Sequence, residues 1–220
     1  HFFDWIIWKI RKFIHISSIE FFCNSINIFK VKKKFNKNYK KIKISTKKFL
    51  EVCNKNDGTL ISIDIDDCSN VVTDKNWIFI HSSDDNFNFI DKKIKKNLDL
   101  LYIDSYHEPE HVEKVFYHYY NFLKDDGICV IDDISWLPYC KNEYRDNEFT
   151  EIINKSIFNK ILEIYNQNKD KFSLEFYFEG SGLAIIKKKK TELNFSKKIL
   201  SRELSIKNLV KKFFKTKPKK

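Results

Sequence analysis

The hydrophobic positions of this chain change period along its length, and the changes mark out its elements. Residues 1–20 mix aromatic and aliphatic side chains with Lys and Arg at loosely helical spacing, which predicts an amphipathic helix. Residues 21–45 are low in complexity; INIFKV reads as a strand and the lysine-rich remainder as loop. From Thr46 the pattern sharpens. TKKFLEVCNKNDG predicts a short helix stopped at Gly58, since Asn and Gly near a helix end supply a left-handed cap. TLISIDI and NWIFIHS follow as strands, and FNFIDKKIKK as a short helix. NLDLLYID is a near-continuous apolar run of the kind that parallel sheets bury on both faces. Pro109 suits a first helical turn. Val112, Val115, Phe116, Tyr119, Phe122 and Leu123 then fall at offsets 0, 3, 4, 7, 10 and 11, on one helical face. DDG ends that helix and ICVIDD is the next strand. EFTEIINKSIFNKILEIYNQN is a further amphipathic helix, KFSLEFYFEG a strand, and GLAIIKKKK a last strand reached through a Gly180/Gly182 turn.

Strands alternating with helices predict the α/β class: a Rossmann-like three-layer sandwich with a mostly parallel sheet covered on both faces. The last two strands are joined too tightly for a crossover and must form an antiparallel hairpin. The chain divides into an atypical basic segment at 1–45, a Rossmann-like domain at 46–190, and a basic helix or tail at 191–220.

Composition bounds this picture. With 42% hydrophobic and 32% charged residues, a chain of 220 residues forms one globular domain with an appendage. It starts at His1 and contains no Met, which reads as a fragment or a processed product. No apolar run approaches the roughly 18 residues that a membrane helix needs. The opening HFFDWIIWKIRKFIHI is broken by Asp4, Lys9, Arg11 and Lys12, so neither a transmembrane segment nor a signal peptide is expected. Five scattered cysteines without a C-x-x-C pair point to reduced thiols and a cytoplasmic setting. The net charge of +11 divides into +9 over residues 1–45, −10 over 46–186 and +12 over 187–220. Two readings of the basic ends stand: a nucleic-acid or anionic-membrane footprint, or solvated lysine in a sequence rich throughout in Lys, Asn and Ile.

In an open α/β sheet, ligands bind beyond the carboxyl ends of the strands. The acidic residues collect there: TLISID ends in Asp64, IFIHSSDD runs out at Ser83 and Asp84, LLYID ends in Asp104, and ICVIDD in Asp132 and Asp133. Strand-end carboxylates also cap helices and form turns, so each alone is ambiguous. Four successive strands doing the same is the informative pattern. Asp104, Asp132 and Asp133, close together, would repel one another unless a cation sat among them, and hard oxygen ligands suit Mg²⁺ or a similar divalent ion. In the other reading, Asp132 or Asp133 caps the next segment. His107, three residues after Asp104, is either a general base or a surface histidine before a helix. His111 and His118 read as surface histidines.

On GTLISIDI, LDLLYIDSYHEPEHV, DDGICVIDD and GSGLAIIKK, the chain from about residue 45 to 189 resembles the class I S-adenosylmethionine-dependent methyltransferases. More narrowly it resembles their metal-dependent O-methyltransferase branch, with the macrolide-sugar O-methyltransferases, the cephalosporin hydroxylase-like proteins and, more distantly, catechol O-methyltransferase. The resemblance implies that Asp64 accepts hydrogen bonds from the donor's ribose and that Ser83 and Asp84 lie near its adenine. It also implies that Asp104, Asp132 and Asp133 hold Mg²⁺ and that His107 takes the acceptor's proton. The substrate would be a small hydroxylated molecule, a sugar or a secondary metabolite. One departure is sharp. Where the family has a first strand ending in an acidic residue and a glycine-rich turn, this chain reads KKFNKNYKKIKIS, without Gly, Asp or Glu. Three other readings follow: a catalytically degenerate binding module, a Mg²⁺-dependent hydrolase or phosphotransferase on the same carboxylates, and a nucleic-acid methyltransferase or binder using the basic tail.

Overall fold

A computed structural model of the protein describes residues 27–32, 39–137, 148–200 and 206–215, of which 27–32, 39–44, 148 and 212–215 are given as backbone alone. The helix expected within residues 1–20, together with Cys23, Cys140 and the segment 33–38, lies outside the described residues.

Seven strands form one sheet: β1 (Asn27–Lys32), β2 (Thr59–Asp64), β3 (Trp77–His81), β4 (Leu98–Asp104), β5 (Leu123–Asp132), β6 (Phe172–Tyr177) and β7 (Leu183–Lys188). Their order is β3-β2-β1-β4-β5-β7-β6. β1 to β5 pair in parallel, while β7 enters between β5 and β6 antiparallel to both. The helices are α1 (Tyr39–Lys55), α2 (Phe87–Ile90), α3 (Pro109–Tyr120), α4 (Glu148–Gln167) and α5 (Ile206–Lys215). The expected α/β sandwich with its antiparallel hairpin is the observed one. The sheet also takes in residues 27–32, ahead of the boundary placed at residue 46, and INIFKV supplies the middle one of its five parallel strands.

Alternation along the strands explains the three layers. On one face Ile61, Ile63, Leu101, Ile103, Cys129, Ile131, Ala184 and Ile186 meet Val115, Phe116 and Tyr119 of α3 and Ile157, Ile161 and Ile164 of α4. On the other, Leu60, Leu100, Tyr102, Ile128, Val130, Leu183 and Ile185 meet Phe49, Leu50 and Cys53 of α1. Because both faces are covered, β4 and β5 read as continuous apolar runs. Cys53, Cys68 and Cys129 are buried, and burial pushes the Cys53 thiol up to about 12, away from the reactive thiolate.

Three local expectations change. The first helix begins at Tyr39, not Thr46, and the left-handed residue after it is Asp57 (φ 47°), with the amide of Gly58 donating to Cys53 O at 2.8 Å. DDG does not end α3. It lies inside β5 as a bulge: Leu98 pairs with Leu123 but Leu100 with Ile128, and Asp126 takes φ 62°. A Cβ on Gly127 would come within 2.8 Å of Lys124 O and 3.1 Å of Leu98 O, so the bulge requires glycine there. Lys188 is not solvated like the rest of its lysine run. It is 2% exposed, and its ammonium donates to Leu123 O at 2.6 Å and Tyr120 O at 3.2 Å, closing the end of α3. Lys188→Ala should lower stability by about 2–4 kcal/mol, from a cavity plus unpaired carbonyls; urea denaturation measures it.

Candidate functional site

The site follows from register. Lys32 at the end of β1 pairs with both Asp64 and Asp104, Asp64 pairs with His81, and Asp104 and Asp132 stand one residue beyond the Ile103–Ile131 pair. His81, Asp64, Lys32, Asp104 and Asp132 thus form one row across the carboxyl ends of five strands. Since strands lie about 4.8 Å apart, Asp64 and Asp104 are separated by roughly 10 Å of backbone. Among the described residues, Asp64 is not in the group whose ligand atoms lie within one ion's reach. The rim has two halves, one at β2 and one at β4–β5.

The β4–β5 half holds Asp104, His107 and Asp133, one ligand atom from each lying within 4.8 Å of the others. His107 Nε2 is 2.9 Å from Asp133 Oδ2 and 3.8 Å from Asp104 Oδ1, and all three side chains are between 11% and 19% exposed. Strand alternation alone would send Asp133 to the opposite face from Asp132. A left-handed backbone at Asp133 (φ 59°) turns the chain there instead. For a non-glycine residue this costs about 1 kcal/mol, a strain of the kind found at functional sites.

Asp132, expected among the metal ligands, is not in that cluster. Its carboxylate accepts hydrogen bonds from the Tyr102 hydroxyl, from Ser181 Oγ at 2.7 Å and from the Asp133 amide at 2.7 Å. Burial, with Asp133 and Asp104 nearby, pushes its pKa up to about 6. Burial also raises the Tyr102 phenol, which therefore stays a donor. Asp132 fixes the geometry under the cluster. The hairpin turn joins it: a Cβ on Gly182 (φ 81°) would collide with Ser135 backbone at 2.5 Å, so glycine lets the β6–β7 turn close onto the loop after β5.

At the β2 half, Asp64 is 5% exposed and its Oδ1 accepts the Asp66 amide at 3.0 Å. Beyond β3, Ser83 Oγ donates to Asp85 at 2.6 Å and holds that carboxyl below its usual range. Asp84 turns inward. It is 1% exposed, its carboxylate accepts the Ser105 hydroxyl and lies 3.0 Å from His111 Nε2, and its backbone oxygen accepts the Tyr119 hydroxyl at 2.7 Å. His111 is therefore an inward partner of Asp84, not a free surface histidine. Together with Ser105 it ties the β3 loop to the loop that carries Asp104 and His107. Local sequence gives no sign of the Asp84–His111 or Tyr102–Asp132 pairs, which are 27 and 30 residues apart. Only strand order brings them together.

Residues 44–134 match a family model described as a methyltransferase domain. No curated protein sequence matches the chain. Among solved structures, the MycE methyltransferase of the mycinamycin biosynthetic pathway, in complex with Mg, SAH and mycinamycin VI, is similar over 76% of this chain, with 15% identity and a TM-score of 0.52. This chain spans only 46% of the MycE chain. A Staphylococcus aureus protein assigned as a caffeoyl-CoA O-methyltransferase is similar over 84% of this chain and 82% of its own, at 16% identity and a TM-score of 0.57. SAH-bound PaMTH1 of Podospora anserina is similar over 74% of this chain and 72% of its own, at 12% identity and a TM-score of 0.56. The chain thus has a methyltransferase fold, and its match to a methyltransferase domain ends at the acidic rim itself.

Proposed function

We propose that the protein is an S-adenosylmethionine-dependent, Mg²⁺-assisted O-methyltransferase acting on a small hydroxylated molecule, a sugar or a secondary metabolite. The observation that carries this reading is the Asp104–His107–Asp133 cluster, set two strands from Asp64 on one rim. Two carboxylates beside a histidine, nearly closed to solvent, are the donor set that a divalent cation stabilises. Asp104 and Asp133 would hold the ion, with Asp132 fixing Asp133 from behind. A bound Mg²⁺ would orient the acceptor oxygens and lower the pKa of the reacting hydroxyl. His107, within reach of the same space, would take its proton. Asp64 would accept the donor's ribose hydroxyls. Asp84 would act by holding the His107 loop rather than by touching adenine. That the structurally similar MycE was solved in complex with Mg and SAH supports this reading.

A second reading, a catalytically degenerate binding module, is favoured by one specific observation. β1 ends in Lys32, between Asp64 and Asp104, and the next six residues, KKFNKN, contain no glycine. Calorimetric titration with S-adenosylmethionine, with and without Mg²⁺, separates the two. Methyltransfer predicts donor binding in the micromolar range, whereas a folded protein with no detectable binding selects the degenerate module.

A further inference from the structure

The last described helix is amphipathic. Placed at about 100° per residue, Ile206, Leu209, Val210, Phe213 and Phe214 of α5 fall within one arc of about 140°, and Lys207, Lys211, Lys212, Lys215 and Asn208 fill the opposite arc without mixing. The described side chains of the apolar arc are exposed: Ile206 81%, Leu209 43% and Val210 47%. A soluble domain seldom leaves such a contiguous apolar strip uncovered unless something else covers it.

Charge says what. Residues 206–220 contain seven lysines and no acidic residue, whereas residues 46–186 carry −10. An anionic partner is attracted by this helix and repelled by the acidic stretch 46–186, so α5 offers it a favourable place to dock. An apolar strip flanked by lysines suits a surface whose interior is hydrocarbon and whose rim is phosphate. That is a bilayer with anionic phospholipids, not a nucleic acid, which offers the strip nothing to enter.

The segment leading to α5 is also well anchored. Asn194 exchanges hydrogen bonds with Asn168 (2.7 and 2.9 Å), and its carbonyl accepts the Tyr117 hydroxyl at 2.7 Å. Ser196 Oγ donates to Glu113, and the Ile199 amide to Glu163 at 3.1 Å. These contacts step from the carboxyl-terminal ends of α3 and α4 towards their amino-terminal ends, the side on which the acidic rim lies. We propose that α5 lies in the surface of an anionic phospholipid membrane and tethers the domain there. No described helix is long and apolar enough to cross a membrane, which is consistent with lying on one.

The test is flotation of the full chain with vesicles of phosphatidylcholine containing about 30% phosphatidylserine, against phosphatidylcholine alone. Binding at least tenfold stronger to the anionic vesicles and weakened by salt is expected. Val210→Asp, in an exposed position, should abolish it while leaving the melting temperature unchanged; Lys207→Glu with Lys211→Glu should abolish the lipid preference. Equal binding to both vesicles, no binding, or full binding by Val210→Asp would overturn the proposal. So would tight binding of a single-stranded RNA that survives Val210→Asp, or a vesicle-independent dimer that Val210→Asp dissolves; the first would assign the helix to nucleic acid, the second to self-association.

Discussion

Asp104→Ala is expected to cut Mg²⁺-dependent methyl transfer about a thousandfold, the scale of losing one well-placed charge at a reacting centre. Folding should survive it. Asp104 is 8% exposed at the very end of β4, beyond the apolar ladder of that strand, and removing it relieves repulsion on Asp132 and Asp133. The melting temperature in chelator should therefore hold or rise, while the stabilisation gained on adding Mg²⁺ should disappear. On the proposed function, that gain for the unaltered protein should be about 2.7 kcal/mol at a hundredfold excess over the dissociation constant. SAH production and thermal melts with and without the metal read both effects. Asp132→Asn is the matched control, because it removes a neighbouring charge while keeping an acceptor for Ser181 and the Asp133 amide, and should leave Mg²⁺ stabilisation largely in place. If Asp104→Ala turns over normally, Asp104 holds no ion and the reading of the cluster fails.

Asp84→Ala should be the most damaging substitution for stability, at about 3–5 kcal/mol. Its carboxylate is sealed from solvent and engages Ser105 and His111; deletion leaves both buried partners without it. Because those partners belong to β4's outgoing loop and to α3, the damage should extend to His107, and residual folded protein should lose activity. Asp84→Asn, which keeps the shape and one acceptor, should recover most of the stability. Urea denaturation followed by circular dichroism measures the difference. A cost for Asp84→Ala below about 1 kcal/mol, the scale of an exposed pair, would mean that the network does not hold the loop.

Much of the fold was legible because periodicity reports burial, and burial here is simple. NLDLLYID and ICVIDD are covered on both faces, so their continuous apolar runs identify them as parallel strands; Val112, Val115, Phe116 and Tyr119 of α3 pack into the core as their spacing predicts, while Phe122 and Leu123 lie beyond the end of that helix. Misreadings arose where a local signal was outweighed by contacts distant in sequence. DDG resembles a helix stop, but pairing with β4 draws it into a bulge. Lys188 sits in a lysine run, but the carbonyls of Tyr120, at the end of α3, and Leu123, at the start of β5, take it inside. INIFKV carries a weak strand signal of its own, and its place between β2 and β4 makes it the middle of the five parallel strands.

The site divides in the same way. By itself the sequence determined that acidic residues end β2, β4 and β5 and that a histidine follows Asp104 by three positions, since strand ends and spacing are local properties. Tertiary structure decided which of these act together. Register set Asp64 and Asp104 two strands apart, and the left-handed turn at Asp133 drew it towards Asp104 and His107. Hydrogen bonds from Tyr102 and Ser181 turned Asp132 away, and His111 pulled Asp84 inward. Those choices depend on hydrogen-bond partners that lie between 27 and 49 residues away, and no pattern along the chain encodes a distance in space.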